Sequence, residues 1–224
     1  AFWLGGERDL ILTALGAPLL FAISGAVRPQ ETPPDQLQVL EGLSLRAQIV
    51  GSLDAILRES HLSGRTTACL VVQFDLAEQI VEQHGRAAQT EVLARSAERI
   101  CASLRAGDTV ARLEGGGFAV ALAAVRRLDI ETVVQVAARL QTALSAPISL
   151  NATRIYTTSS IGFCLGNRAP EPTGASLLNA AQIAADDALR HGPSAIRSFS
   201  ADMAATRADR DALRDELEHA LDEG

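Results

Sequence analysis

The chain has 224 residues, of which 47% are hydrophobic and 21% charged, a composition that excludes disordered and collagen-like classes. Its length supports one full α/β domain with appendages, but not two large domains. With 20 basic and 27 acidic residues the formal net charge is −7, and aromatic residues make up only 4%. Nucleic-acid-binding proteins usually carry a basic stripe and stacking aromatic residues, so this class is excluded as well. All 20 basic residues are arginine, which excludes catalysis by a lysine Schiff base, P-loop lysine or lysine general base.

The first 28 residues differ from the remainder, because residues 10–27 form a run of eighteen residues without a charge. Such a run is just long enough to cross the core of a bilayer, and membrane helices tolerate its proline and glycines. A buried helix of a soluble domain is the alternative, although the run lacks an amphipathic stripe. The sequence predicts a membrane-anchor helix over residues 1–28. The protein would then be single-pass in the inner (cytoplasmic) membrane, with its α/β domain in the cytoplasm.

The rest of the chain alternates between predicted helices and strands. A polar, proline-rich segment predicts a linker over residues 29–36, and apolar residues at helical spacing predict a helix over 37–60. The elements predicted after it are a buried strand at 67–74, helices at 76–104 (broken near Gly85), 130–144 and 174–190, a hairpin of strands at 109–113 and 118–122, and strands at 154–163 and 195–199. From the first strand the order is β-α-α-β-β-α-β-α-β. This order predicts an α/β (α+β) fold with a mixed central β-sheet flanked by helices.

Residues 200–222 are highly charged, and their leucines Leu213, Leu217 and Leu221 recur at a spacing of four. The pattern predicts a helix with one narrow contact face, and a helix this polar usually bridges to something outside its own domain. The three cysteines, Cys69, Cys101 and Cys164, form no CxxC pair. We expect reduced thiols rather than zinc ligands or disulfides.

Residues 112–118 (RLEGGGF) resemble the R-x-GGDEF signature hairpin of diguanylate cyclases. Other segments match the motifs of that family in the same order: residues 38–46, the strand end at 73–75, Gly85, residues 158–162 (TSSIG) and residues 177–192. The resemblance covers residues 37–199. It implies a GGDEF domain with the palm-like fold of nucleotide cyclases.

The resemblance also implies that the active site is degenerate. In working members, one carboxylate from the first strand and one from the hairpin hold magnesium against the triphosphate of GTP. These positions fall on Gln73 and Gly116, and the next hairpin position, normally acidic, falls on Gly117. Asp75 remains, but the matching aspartate of the family is not the principal metal ligand. The signature hairpin is therefore read as degenerate over Glu114, Gly115, Gly116, Gly117 and Phe118.

The positions that contact GTP in the family are also changed. Those that read guanine fall on Val81 and Thr90, and the lysines that contact phosphate fall on Glu78 and Leu189. A valine removes both donor and acceptor for a base edge, and a glutamate repels a triphosphate. The expectation is a protein that is not an enzyme, with no catalytic residues, no metal and no cofactor.

One family site is retained in sequence. Arg105 and Asp108 match the R-x-x-D inhibitory motif, which in the family binds cyclic di-GMP through a guanidinium fork and a carboxylate. The alternative is an arginine at a helix end and an aspartate that forms a turn before a strand. Both interpretations remain open at the level of sequence.

The tail at residues 199–223 resembles the helix that joins a GGDEF domain to an EAL-type phosphodiesterase domain in tandem proteins. Three functions remain open. The first is a membrane-tethered regulatory module that senses cyclic di-GMP. The second is a ligand-free scaffold that packs on another membrane protein, and the third is an enzyme with residual GTP binding.

Overall fold

The computed structural model describes residues 44–150 and 153–222. Its elements, in chain order, are α1 (Ser44–Ser63), β1 (Ala68–Phe74), α2 (Ala77–Ser103), β2 (Thr109–Arg112), β3 (Phe118–Ala121), α3 (Ile130–Ser145), β4 (Ile148–Leu150), β5 (Thr153–Ile155), β6 (Ser159–Leu165), α4 (Gly174–Arg190), β7 (Ile196–Ser198) and α5 (Ala201–Asp222). Short 3₁₀ turns lie at Glu114–Gly116 and Gly166–Arg168.

The central sheet has five strands in the order β2-β3-β1-β6-β7. β1 pairs antiparallel with both β3 and β6, whereas β6 and β7 are parallel. The sheet is therefore mixed, and the predicted fold class is confirmed. β4 and β5 form a separate two-stranded sheet.

Helices cover both faces of the sheet, which is why β1 (ACLVVQF) is apolar almost throughout. Successive side chains of a strand point to opposite faces. Accordingly, Leu70 and Val72 pack in a core with α2 and α3, whereas Cys69 and Val71 pack in a second core with α1 and α4. The strand thus runs through the middle of the domain and ends at Gln73 and Phe74.

The structure corrects one predicted strand. Residues 154–163 do not form a single strand, because β5 ends at Ile155 and β6 begins at Ser159. Between them the Thr157 hydroxyl donates a hydrogen bond to the Leu144 carbonyl at the end of α3. β5 pairs with β4 outside the central sheet, and β4 is a three-residue strand that the sequence analysis missed.

Within the described residues the helical predictions agree with the structure to within a few residues, and residues 37–43 of the first predicted helix lie outside them. α2 is broken at Gly85, whose φ of +79° lies in the left-handed region that favours glycine. α1 extends to Ser63, and α4 has the predicted bounds.

The predicted anchor at residues 1–28 and the predicted linker at 29–36 lie outside the described residues. Within the part of the chain that the structure describes, no helix combines the length and the apolar character needed to cross a bilayer.

Candidate functional site

A cleft of about 530 Å³ opens where β1 ends. The end of β1, the start of α2, the hairpin tip between β2 and β3, and α4 all contribute to its walls. The antiparallel register pairs Val72 with Phe118, so the tip residues lie beside Gln73. The structure thus brings together Gln73, Gly116 and Leu189, which the resemblance had assigned to one site.

Gln73 is held by a side chain of α4. Its amide nitrogen donates to Asp186 Oδ1 at 2.9 Å, and Arg207 Nη1 of α5 donates to Asp186 Oδ2 at 2.5 Å. The other amide atom, Gln73 Oε1, is buried and has no hydrogen-bond partner among the described residues. The sequence analysis missed Asp186 and Arg207. The sequence feature that could have pointed to Asp186 was the acidic pair Asp186-Asp187 within the alanine-rich helix α4.

Asp75 performs a structural task at the same end of β1. Its Oδ1 accepts a hydrogen bond from the Ser160 hydroxyl at 2.5 Å, and its Oδ2 accepts one from the Ser194 backbone N–H at 3.0 Å. The Ser160 oxygen also accepts from the N–H of Ala195 at 3.3 Å. Asp75 therefore ties the segment before β7 to the end of β1.

The hairpin tip has a backbone that depends on glycine. Gly115 and Gly116 have φ values of +83° and +91°, in the left-handed region. Gly117 is extended, but a Cβ atom there would lie 2.8 Å from the Val72 carbonyl oxygen. Next to these glycines, Phe118 is buried and makes an edge-on contact with Phe74 at 6.2 Å between ring centroids.

The four positions that the resemblance assigns to GTP contacts are Glu78, Val81, Thr90 and Leu189. Glu78 lines the cleft and a smaller adjoining pocket, which Val81 also lines. Leu189 is 38% exposed at the rim. Thr90 is an exposed helical residue whose hydroxyl donates to the Arg86 carbonyl of the same helix. The structure therefore gathers three of these four residues around the cleft.

The charge of the cleft is negative. Four carboxylates line it, from Asp75, Glu78, Glu114 and Asp186, and no arginine lines it in the described part of the chain. Two of the four, Asp75 and Asp186, accept hydrogen bonds from neighbouring groups. The free charge is therefore concentrated at Glu78 and Glu114.

The R-x-x-D pair lies at the other end of β2 from the hairpin tip. Asp108 is only 7% exposed, and its two carboxylate oxygens accept from the backbone N–H groups of Arg105, at 3.0 Å, and Ala123, at 2.9 Å. Arg105 is exposed, and no described residue pairs with its guanidinium. Asp108 therefore forms the turn before β2, and ligand binding by the pair stays a prediction.

The cysteines are free thiols, as expected from their spacing. Cys69 and Cys164 lie opposite each other on β1 and β6 and are both buried. Burial raises the pKa of both thiols, that of Cys164 to about 12. Neither thiol lines the cleft.

Comparisons with known proteins agree with this geometry. The family model described as "Diguanylate cyclase, GGDEF domain" matches residues 38–194. The diguanylate cyclase TpbB of Pseudomonas aeruginosa is 33% identical over 146 residues, which is 65% of this chain and 33% of TpbB. The chain thus matches only a minor part of that relative's length.

Solved structures show the same similarity. The GGDEF domain of TpbB from Pseudomonas aeruginosa has a TM-score of 0.68 and 30% identity, and the match covers 73% of this chain and 94% of that one. An EAL/GGDEF domain protein from M. capsulatus has a TM-score of 0.61 and 27% identity, with 72% and 99% covered. The family model spans well over half of the sequence, and the chain belongs to the GGDEF family of diguanylate cyclase domains.

Proposed function

We propose that this chain is a catalytically inactive GGDEF domain that acts as a regulatory module in cyclic di-GMP signalling. The observation that carries the proposal is the identity of the residues at the two positions where the resemblance places the magnesium ligands. Gln73 supplies an amide that donates to Asp186, and Gly116 supplies no side chain. Mg²⁺ requires near-octahedral coordination by oxygen atoms, usually with one or two carboxylates from the protein. The residues present do not fit it.

The neighbouring carboxylates do not replace the missing ones. Asp75 is bonded to Ser160 and Ser194, and Asp186 is bonded to Gln73 and Arg207. Across residues 44–150 and 153–222, no cluster of three or more histidine, cysteine, aspartate or glutamate residues is placed to hold a metal ion. The carboxylates of the cleft would also repel a triphosphate that arrived without enough metal to neutralise it.

The test is GTP turnover by the purified chain with Mg²⁺ or Mn²⁺, followed by mass spectrometry of the product. We expect no cyclic di-GMP above a control without protein, because metal-held charge stabilisation contributes several kcal/mol to phosphoryl transfer. The active GGEEF domain of a diguanylate cyclase from Vibrio cholerae, assayed in parallel, is the positive control. Product that increases with the concentration of this chain would overturn the proposal.

The ligand of the regulatory module is proposed to be cyclic di-GMP, bound at Arg105 and Asp108. The guanidinium of Arg105, which is exposed beside the turn and has no partner among the described residues, supports this proposal. The two backbone hydrogen bonds to Asp108 support the alternative, a ligand-free scaffold, because they account for the aspartate without a ligand.

Calorimetric titration with cyclic di-GMP separates these two functions. A sensor should bind, and Arg105→Ala should weaken binding by at least roughly thirtyfold, since losing an arginine that makes bidentate contacts to a charged ligand costs about 2 kcal/mol or more. Arg105→Lys should weaken binding too, because an ammonium lacks the planar fork. Arg86→Ala, at an exposed arginine of α2, is the matched control. Absence of heat at millimolar ligand would support the scaffold.

Two further proposals concern the ends of the chain. We propose that residues 1–28 anchor the protein in the inner membrane, and that α5 is the helix that connects the domain to an EAL-type or other partner. The uncharged run at residues 10–27 supports the first proposal, and the polar character of α5 supports the second. Ultracentrifugation of a detergent-free lysate tests the anchor, which is wrong if the intact chain stays in the supernatant.

A further inference from the structure

The base of α5 is bonded to the position where the family holds its metal. Arg207 of α5 donates to Asp186 of α4, and Asp186 accepts a second hydrogen bond from Gln73 at the end of β1. Asp186 lines both the cleft and a smaller pocket beneath α5, which Arg207 also lines. One carboxylate therefore links the former active site to the last helix of the domain.

Arg207 lies where the packed part of α5 ends. One turn earlier, Met203 and Ala204 pack against the core that contains Phe199 and α4. Further along the helix, Leu213 and Leu217 are 57% and 58% exposed. The bond to Asp186 thus attaches α5 to α4 one turn beyond the apolar contacts of Met203 and Ala204.

The bond differs from an ordinary surface salt bridge. The Asp186 and Arg207 side chains are 30% and 39% exposed, so water screens the pair less than it screens a fully exposed pair. The carboxylate is also fixed by its second bond to Gln73, which reduces the side-chain entropy lost on pairing. Charge-assisted hydrogen bonds of this kind are stronger than neutral ones.

The arrangement requires a neutral residue at position 73. An aspartate or glutamate there would direct a second carboxylate at Asp186, which now accepts a hydrogen bond from the amide at 2.9 Å. Two carboxylates at that distance repel each other unless a proton or a cation lies between them. Without a bound cation, an acidic residue at position 73 would therefore remove the hydrogen bond that Gln73 donates to Asp186 and weaken the attachment of α5.

We propose that Gln73, Asp186 and Arg207 form a latch that fixes α5 on the domain, so that occupation of the cleft at Gln73 or Asp186 releases the helix. The proposal rests on the proposed loss of catalysis, because it assigns a regulatory task to the former metal position. The latch gives a domain without turnover a means of passing a binding event to whatever α5 contacts.

Hydrogen exchange measured by mass spectrometry on the whole chain tests the latch. In Asp186→Ala and in Gln73→Asp, exchange over residues 201–210 should rise about tenfold, the effect of losing a charge-assisted hydrogen bond. Arg210→Ala is the control on the same helix. It removes an arginine that has no hydrogen bond to Asp186 in the structure, and it should leave exchange unchanged.

Peptides from β1 and β6 show in the same experiment whether each variant is folded. Should Asp186→Ala lose protection there, Asp186→Asn replaces it, because asparagine keeps the shape of the side chain and removes the charge that binds Arg207. Unchanged protection of residues 201–210 in a folded variant at Asp186 would overturn the latch. GTP turnover by the unmodified chain would instead overturn the proposed function, and the two failures are therefore distinguishable.

Discussion

A Cβ atom on Gly162 would lie only 1.9 Å from the backbone nitrogen of Ala185. β6 and α4 thus approach backbone to backbone at this point, and the alanines of α4 make that approach possible. The next residue of α4 is Asp186, so the close approach also fixes the distance between Asp186 and the end of β1.

We expect Gly162→Ala to be among the most damaging single substitutions in the domain. The added methyl group meets backbone atoms that cannot move aside, so the free energy of unfolding should fall by more than about 3 kcal/mol. Urea denaturation followed by circular dichroism measures the change. Gly51→Ala is the matched control, since no described atom other than its chain neighbours and the nearby backbone of its own helix lies within 4 Å of the added Cβ. This control should stabilise α1 by up to about 1 kcal/mol. Equal stability of the two variants would contradict the close approach.

Restoring the acidic residues should not restore catalysis. In Gln73→Asp/Gly116→Asp/Gly117→Glu, position 116 keeps a φ of +91° that L-residues rarely adopt, and a Cβ at position 117 meets the Val72 carbonyl. The hairpin tip must therefore rearrange before the new carboxylates can meet. We expect no product from GTP by mass spectrometry, together with a lower midpoint of urea denaturation. Turnover by this variant would show that the tip adapts without difficulty.

The two residues of the R-x-x-D motif should differ in their effect on stability. Asp108→Ala leaves the N–H groups of Arg105 and Ala123 without their acceptor, so the free energy of unfolding should fall by about 1–3 kcal/mol. Arg105→Ala, at an exposed side chain, should change it by less than about 0.5 kcal/mol. Denaturant titration of both variants measures the difference. A neutral Asp108→Ala would contradict the role of Asp108 in the turn.

Thiol labelling should distinguish the three cysteines. Burial raises the pKa of Cys69 well above its usual range, with a further contribution from the neighbouring Cys164. At pH 8 the two buried thiols are almost entirely protonated, and the thiolate is the reactive form. Cys101 is only partly buried, so a thiol-specific reagent should modify it first in the native protein. Rapid modification of Cys69 in the native state, detected by peptide mapping, would contradict this order.

The start of α3 should contribute a pH-dependent part of the stability. The Thr132 hydroxyl and backbone N–H donate to Asp129, the N-cap residue, and hold the pKa of its carboxyl below its usual value. A depressed pKa stabilises the folded state above the unfolded pKa of about 3.9, and the contribution disappears as the pH falls through the folded value. Asp129→Asn keeps a capping side chain without the titration. The difference in Tm between the unmodified chain and Asp129→Asn should therefore shrink from pH 6 to pH 3. A constant difference would contradict the contribution of the Asp129 carboxylate.

The sequence by itself determined most of the elements, although it joined β5 to β6 and missed β4. The apolar run of β1, the glycine near the middle of α2 and the turn residues between β2 and β3 are local signals, and each produced the predicted structure. The resemblance to the GGDEF family, and not a local signal, implied that Gln73 and the hairpin tip belong to one site, and both line the cleft.

Only the tertiary structure decided which side chains bond to one another. Gln73 and Asp186 are 113 residues apart in the chain, so their hydrogen bond depends on how closely α4 packs on β6. The burial of Asp108 likewise depends on the N–H of Ala123, which follows the neighbouring strand. Periodicity shows which face of an element is buried, but the distance between two polar atoms is set by backbone packing to within fractions of an ångström.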